Sequence, residues 1–452
     1  MTMKNNVKFI TLGCKVNQAE SESLASYACG NKTISLPDEK PADICIINTC
    51  AVTVKAAMQS RQAIRKAVRA HPGAKIIVTG CYAQTAPEQI QHIEGVDYII
   101  GQSNKHRIFD IIDTGSTEKS GGATIINDPI EEKRLFDRMP APSAGSRTRP
   151  FLKIQDGCNS FCTYCIVPYS RGRSRSLSPE QVITEVEELL RTGAREIVLT
   201  GIHLGRWGLD LSGNHTLTRL LEQILANPDL KRLRLSSLEP AEITEPLLDL
   251  VRNSPKICRH FHIPLQSGDH NVLKRMNRHY SPEDFAETVR KINQHFDEAA
   301  IGADVLTGFP GETNREFQNT CDLIESLPIS YLHVFPFSPR SPAPAANYPD
   351  QVPSGIIKQR ALALSELGRS KKEKFYQNMT GRILEVITEK KTNNPEFCIK
   401  GLSSNYIPVY IEGCETIEIN QIVNCLVTNN DQGLSVSGII CGDKHRIKTE
   451  TA

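Results

Sequence analysis

Residues 153–176 read KIQDGCNSFCTYCIVPYSRGRSRS, directly after Phe151-Leu152. Cys158, Cys162 and Cys165 stand in C-x3-C-x2-C spacing, on what reads as a loop following a strand from Phe151 to Gln155. Three thiolates on one short loop can hold three irons of a cubane cluster. Iron–sulfur clusters normally take four cysteines, so this loop predicts that another molecule occupies the fourth iron. Two plainer readings stand beside it. Structural zinc favours four ligands from paired C-x2-C units, but this segment offers three, with no nearby His. Buried free cysteines behave as small hydrophobes, but here the neighbours are Gly157, Asn159, Ser160 and Thr163.

Downstream, strand patterns recur at 196–200 (EIVLT), 233–237 (LRLSS), 258–263 (CRHFHI), 301–306 (IGADVL) and 331–335 (YLHVF). Helical segments such as Pro179 to Thr192 separate them. With Phe151–Gln155 these make six strand–helix repeats, which predicts a partial parallel barrel, shorter than a full eight-repeat one. Polar residues gather where the strands end: Thr200-Gly201, Ser236-Ser237-Leu238-Glu239-Pro240, Gln266-Ser267-Gly268 and Thr307 to Glu312. A cofactor pocket is expected at those carboxyl ends.

Upstream, residues 7 to about 112 alternate short apolar strands (VKFITLGC, ADICIINTC, AKIIVTGC, VDYIIG) with helices such as Val54 to Ala70, an α/β pattern with a parallel sheet. Three of these strands end in cysteine: Cys14, Cys50 and Cys81. Ligands bind open parallel sheets at the carboxyl ends of the strands, so these three can converge on a second metal site. The competing reading, three core cysteines, sits poorly beside Gly13, Asn48, Thr49 and Gly80. The other cysteines (Cys29, Cys45, Cys258, Cys321, Cys398, Cys414, Cys425, Cys441) lack ligand spacing and read as packing residues. Residues 133–150, rich in Pro, Ser, Gly and Arg, read as an interdomain linker. After a Pro-rich loop at 336–354 comes a helix from Ile356 to about Gln377, with Ile357, Leu362, Leu364 and Leu367 as its apolar face. From Gly381 five short strands predict a small closed β-barrel of the oligonucleotide-binding type.

The chain has 452 residues, 39% hydrophobic, with a formal net charge of +2. Substantial cores can form, and any nucleic acid must be met by local patches. No apolar run approaches ~18 residues, so no membrane span is expected. The first residues lack a signal-peptide pattern. Fourteen cysteines without a disulfide-scaffold pattern point to a reducing, cytoplasmic setting and metal chemistry.

The blocks TLGCKVNQAE, NTCAVT, VTGCYAQ, KIQDGCNSFCTYCIVPYSRGR, LTGIHLG, LSSLEP, HIPLQSGDHNVLKRMNR, DVLTGFPGET and VFPFSPR resemble, across nearly the whole chain, those of the radical S-adenosylmethionine (SAM) methylthiotransferases. The resemblance implies a methylthiotransferase N-terminal domain at 3–115, a radical SAM core at 144–374 and a TRAM RNA-binding domain at 376–442. It implies two 4Fe–4S clusters, one on Cys158, Cys162 and Cys165 that cleaves SAM, and an auxiliary one on Cys14, Cys50 and Cys81 that carries the sulfur. In the family scheme one SAM methylates that sulfur. A second yields a 5′-deoxyadenosyl radical that attacks C2–H of an adenine, where the methylthio group is placed. TLGCKVNQAE and the three-cysteine block look most like the branch acting on N6-threonylcarbamoyladenosine at position 37 of tRNA. The isopentenyladenosine branch usually reads YGCQMN at the first cysteine. That branch, the ribosomal-protein aspartate branch, and an iron–sulfur electron carrier or scaffold remain as alternatives.

Expected partners are the tRNA anticodon stem-loop, a flavodoxin- or ferredoxin-type electron donor and a sulfur donor. Thr200-Gly201 would face the SAM amino group, Tyr164 its adenine, and Ser236, Ser237 and Glu239 its ribose or amino group; the alternative for each is ordinary turn chemistry. Arg171, Arg173 and Arg175 are candidates for the SAM carboxylate or a tRNA phosphate, against a solvated basic loop. Basic residues at 55–69 and 371–374 offer phosphate contacts. One departure stands out. Where the family runs Pro-Gly-Thr-Pro-Ala after Ser338-Pro339-Arg340, this chain has Ser341-Pro342-Ala343-Pro344-Ala345.

Overall fold

The structure, a computed structural model, describes residues 6–30, 34–35, 41–114, 122–140, 147–392, 397–412, 417–431 and 435–441. Its first layer is a six-stranded parallel sheet in the order β2-β1-β3-β4-β5-β6. The strands are β1 (Asn6–Thr11), β2 (Ile34–Ser35), β3 (Ile44–Thr49), β4 (Lys75–Gly80), β5 (Tyr98–Ile100) and β6 (Thr124–Ile126). β3 and β4 are buried throughout, which is why they read as unbroken apolar runs. The edge strands β2 and β6 escaped the sequence reading because each is too short to show a period. Helices α1 (Lys15–Gly30) and α2 (Val54–Ala70) follow β1 and β3. The Thr53 hydroxyl caps α2 by accepting from the Ala56 amide at 3.0 Å.

The second unit is a partial barrel of six parallel strands. These are β7 (Phe151–Lys153), β10 (Glu196–Thr200), β11 (Arg232–Leu235), β12 (His260–Gln266), β13 (Ala300–Thr307) and β14 (Tyr331–Pro336), with a small hairpin of β8 (Gln155–Asp156) and β9 (Arg175–Ser176) beside β7. Its wall divides into β7-β10-β11 and β12-β13-β14; a bridge between Leu233 and Ile257 and a 3.0 Å bond from the Leu238 amide to the His262 carbonyl join the halves. Alternate residues such as Ile197, Leu199, Leu233, Leu235, Ile263 and Val305 enter the apolar core under the surrounding helices. The opposite face carries Glu196, Arg232, Arg234, His260, His262, Asp304, Tyr331 and His333. This partial barrel therefore has an ionic interior.

A closed barrel, β15-β16-β17-β19-β18, occupies 383–440: β15 (Ile383–Lys391), β16 (Ile399–Ser403), β17 (Pro408–Glu412), β18 (Ile422–Asp431) and β19 (Ser435–Ile440). It caps the amino ends of the larger strands. Arg234 donates to the Ser404 and Ser403 carbonyls at 3.0 Å each, and Tyr406 stacks on His260 at 4.3 Å. The connecting helix spans Ser354–Gln377; Leu364 and Gly368 are buried, but Leu362 is 61% exposed and leaves the expected apolar face. Gly368 permits the close approach, since a Cβ there would lie 3.0 Å from Leu332. Cys398, read as a packing residue, is disulfide-bonded; Cys414 and the side chain of Cys29 lie outside the described residues.

The first sheet closes the open side of the partial barrel at both edges. Ala19 of α1 packs with Phe151 and Val198 at the β7 edge. At the other edge the Val54 amide donates to the Ser338 hydroxyl at 2.9 Å. The described part of the linker is seated: Phe136 packs on the barrel core and Met139 on that of the first sheet. No helix among the described residues is long and apolar enough to cross a membrane.

Candidate functional site: two cysteine triads

The loop bearing Cys158, Cys162 and Cys165 runs between β8 and the helix Val167–Arg171. Gly157 (φ 72°) makes its first turn; a Cβ there would meet the Arg173 carbonyl oxygen at 2.0 Å, so only glycine fits. The Cys158 amide donates to the Gly172 carbonyl at 3.0 Å and the Thr163 amide to the Met276 carbonyl at 3.0 Å. The three thiols interact electrostatically with one another. Two are supported by cations. His203 Nδ1 lies 3.6 Å from Cys158 Sγ while its Nε2 meets Glu242 at 2.6 Å. Arg278 donates to Cys162 Sγ at 3.4 Å and also grips Glu239. Burial raises Cys158, but bonding from His203 and Ser160 outweighs it and leaves the thiol below its ordinary value. Burial, reinforced by the neighbouring sulfurs, pushes Cys165 up to about 12. Three clustered thiols with cationic donors suit a site whose ligands must be thiolates.

Cys14, Cys50 and Cys81 stand just past the ends of β1, β3 and β4, and they too interact with one another. Gly13 (φ 102°) makes the approach possible: a Cβ there would lie 3.2 Å from Cys50 Sγ. Asn17 holds the loops together, donating to the Leu12 carbonyl at 2.7 Å and the Thr49 carbonyl at 3.1 Å. Ser60 of α2 accepts from the Cys50 amide at 3.1 Å. Gln102 donates to Cys81 Sγ at 3.7 Å. Burial pushes the Cys50 thiol up to about 12.

The remaining expected residues fall in different places. Thr200 is buried at the end of β10. Gly201 lets the chain pass Gln155, whose Oε1 would lie 2.9 Å from an added Cβ and instead accepts from the His203 amide at 2.7 Å. Ser236 is buried with no partner for its hydroxyl among the described residues, an orphan that suits a bound ligand. Glu239 lies beside Cys162 through Arg278. Tyr164 packs against the apolar cluster that contains Val272, Met276 and Phe309. Ser237 and Arg173 are exposed. Arg173 lines a cavity of about 600 Å³ with Phe161, Tyr169 and Pro342. Arg171 is buried in a network with Asn17, Glu20 and Asp156. His203, Gln155 and Arg278 were not singled out from sequence. Their one signal was a place after a strand or inside the quoted blocks.

The chain matches the Radical SAM superfamily over residues 152–324 and the Uncharacterized protein family UPF0004 over 6–101. It is 39% identical to the threonylcarbamoyladenosine tRNA methylthiotransferase MtaB of Bacillus subtilis, covering 92% of each chain. It is 35% identical to the protein of that name from Aquifex aeolicus, over 93% of this chain and all of that one. Identity to the tRNA-2-methylthio-N(6)-dimethylallyladenosine synthase of Clostridium botulinum is 33%, covering 86% and 87% of the two chains. Among solved structures, the radical S-adenosylmethionine methyltransferase TsrM of Kitasatospora setae, with cobalamin and a [4Fe-4S] cluster bound, aligns at TM-score 0.57 and 16% identity over 76% and 77% of the chains, a likeness of fold.

Proposed function

The chain belongs to the radical SAM tRNA methylthiotransferases, and from that premise we propose that it places a methylthio group on C2 of N6-threonylcarbamoyladenosine beside the anticodon, giving the 2-methylthio nucleoside. Cys158, Cys162 and Cys165 would hold the SAM-binding 4Fe–4S cluster, and Cys14, Cys50 and Cys81 a second, sulfur-bearing one. When bound, these groups supply reductive SAM cleavage and a methylated sulfur. The observation that carries the reading is the closeness of the two cysteine loops: Arg171, six residues after Cys165, donates to Asn17, three residues after Cys14, and interacts electrostatically with Cys14 and Cys81.

The chain's own residues bind and orient. Glu242 fixes the His203 ring against Cys158, and Arg278 holds Glu239 beside Cys162. The free Ser236 hydroxyl, Thr200, Gly201 and Tyr164 line the SAM pocket, with Ser237 and Arg173 at its margin. The closed barrel (376–442) meets the tRNA, the core (144–374) holds SAM, and the first sheet (3–115) holds the transferred sulfur. A flavodoxin- or ferredoxin-type protein supplies electrons, and a separate donor supplies sulfur. Mass spectrometry of tRNA nucleosides from cells lacking the gene tests the assignment. Loss of 2-methylthio-N6-threonylcarbamoyladenosine, with its precursor accumulating, is expected; unchanged levels overturn it.

A further inference from the structure

The ionic interior of the partial barrel is almost completely paired. Glu196 accepts from Arg232 at 2.6 Å and from Arg234 at 2.7 Å. Asp304 meets His262 at 2.8 Å and His333 at 3.3 Å. Arg149 is held by Glu389 at 2.5 Å. Each carboxylate in the chamber is thus already engaged.

Lys15 is the exception. It follows Cys14 directly and opens α1, which closes the β7 edge of the chamber. Lys15 is half-buried at the start of α1, and its ammonium interacts electrostatically with Glu196 on β10, Arg234 on β11, His260 on β12 and Asp304 on β13, all on the charged inner face of the partial barrel. It makes no hydrogen bond and no ion pair among the described residues. Next to the proposed sulfur-bearing cysteines there is therefore a cation that the protein does not neutralise.

The two nucleosides named for the relatives differ in just this respect: one carries an anionic threonylcarbamoyl group on N6, the other an apolar dimethylallyl group. C2, where sulfur goes, and C6, which bears N6, flank the same ring nitrogen. A base that turns its C2 edge toward Cys14 thus brings its N6 substituent to the same side, where Lys15 stands. We propose that Lys15 is a specificity-determining residue whose ammonium receives the carboxylate of the threonylcarbamoyl group, an inference that rests on the nucleoside assignment above. A dimethylallyl group there would desolvate the ammonium without a partner, so the same lysine rejects it.

The test uses full-length, iron-loaded protein and two anticodon stem-loop RNAs carrying threonylcarbamoyladenosine, one with a free carboxylate and one with its methyl ester. Wild-type protein should bind the free acid roughly ten- to a hundredfold tighter, the range of a charge-assisted hydrogen bond. Lys15→Gln should bring the two RNAs to equal affinity, and Lys15→Arg should restore the preference. Because the readout is a ratio within one protein at matched iron content, a general loss of folding does not imitate it. A Lys15→Gln protein that keeps the wild-type ratio overturns the inference, and so does a wild type with no preference. Product analysis with the wild type separates the two readings. If the threonylcarbamoyl RNA is methylthiolated while the ratio is flat, only the role of Lys15 falls. If that RNA gives no methylthio product, the nucleoside assignment falls.

Discussion

Arg171 Nη1 lies 3.0 Å from Glu20 Oε1, and both side chains are 1% exposed. The pair joins the helix that follows the Cys158–Cys165 loop to α1, which follows Cys14. Lys105 at 2.5 Å and Lys153 at 3.0 Å share Glu20, and Asp156 shares Arg171 at 2.9 Å. A buried carboxylate among three cations is costly unless every partner is in place. Satisfied, the network fixes the two cysteine-bearing loops relative to each other.

Glu20→Gln should therefore destabilise the protein by about 3–5 kcal/mol, the cost of removing one partner from a buried ion network. Thermal unfolding of iron-loaded protein measures this. A midpoint within about a degree of wild type would show the network to be dispensable.

Iron content should separate the two triads. Anaerobically reconstituted protein should hold about eight irons, four per cluster, and Cys158, Cys162 and Cys165 changed together to Ala should leave about half. Cys50→Ala should still cleave SAM to 5′-deoxyadenosine yet form no methylthio product; Cys162→Ala should do neither. Normal product from Cys50→Ala would make Cys50 a packing residue.

Glu185, buried in the helix Pro179–Arg191 and 3.6 Å from Arg138, is pushed up to about 7 by burial, against the opposing pull of Arg138. A raised carboxyl binds its proton more tightly in the folded state. The contribution of Glu185 to stability should thus be fully present below about pH 4.5 and be lost as pH rises to about 7, by up to about 3 kcal/mol. Glu185→Gln removes this loss, so the variant should gain midpoint temperature over wild type at pH 8 but not at pH 5. An equal difference at both pH values would contradict the assignment.

The closed barrel cannot be tested cleanly by deletion, because Arg232 and Arg234 donate to its Leu402, Ser403 and Ser404 carbonyls. Removing it would strand two buried guanidinium groups. Charge reversal at the exposed Lys390 and Lys391 of β15 leaves those contacts intact. If both lysines meet phosphates, the double variant should bind tRNA more weakly, and the log–log salt slope should flatten by roughly 1.5 to 2. An unchanged slope would place the RNA elsewhere, with the basic face of α2 as the next candidate.

The order of elements was legible in the sequence because it depends on local patterns. Continuous apolar runs ended at Cys14, Cys50 and Cys81, and parallel sheets expose exactly such strand ends; the C-x3-C-x2-C loop announced its ligand count by spacing alone. Tertiary structure decided what those ends face. Arg171 looked like a ligand-binding loop residue, but α1 brings Glu20 to it from 151 positions away. The burial of Glu196 and Arg234 inside segments read simply as strands, and of Arg232 just ahead of one, was not legible, since a partial barrel can bury charge when ions from neighbouring strands meet at matching heights. Lys15 carried no signal of its own beyond standing next to a cysteine. That it faces the chamber, with each nearby carboxylate already taken, follows from long-range ion pairing, and pairing across such separations leaves no periodicity in a sequence.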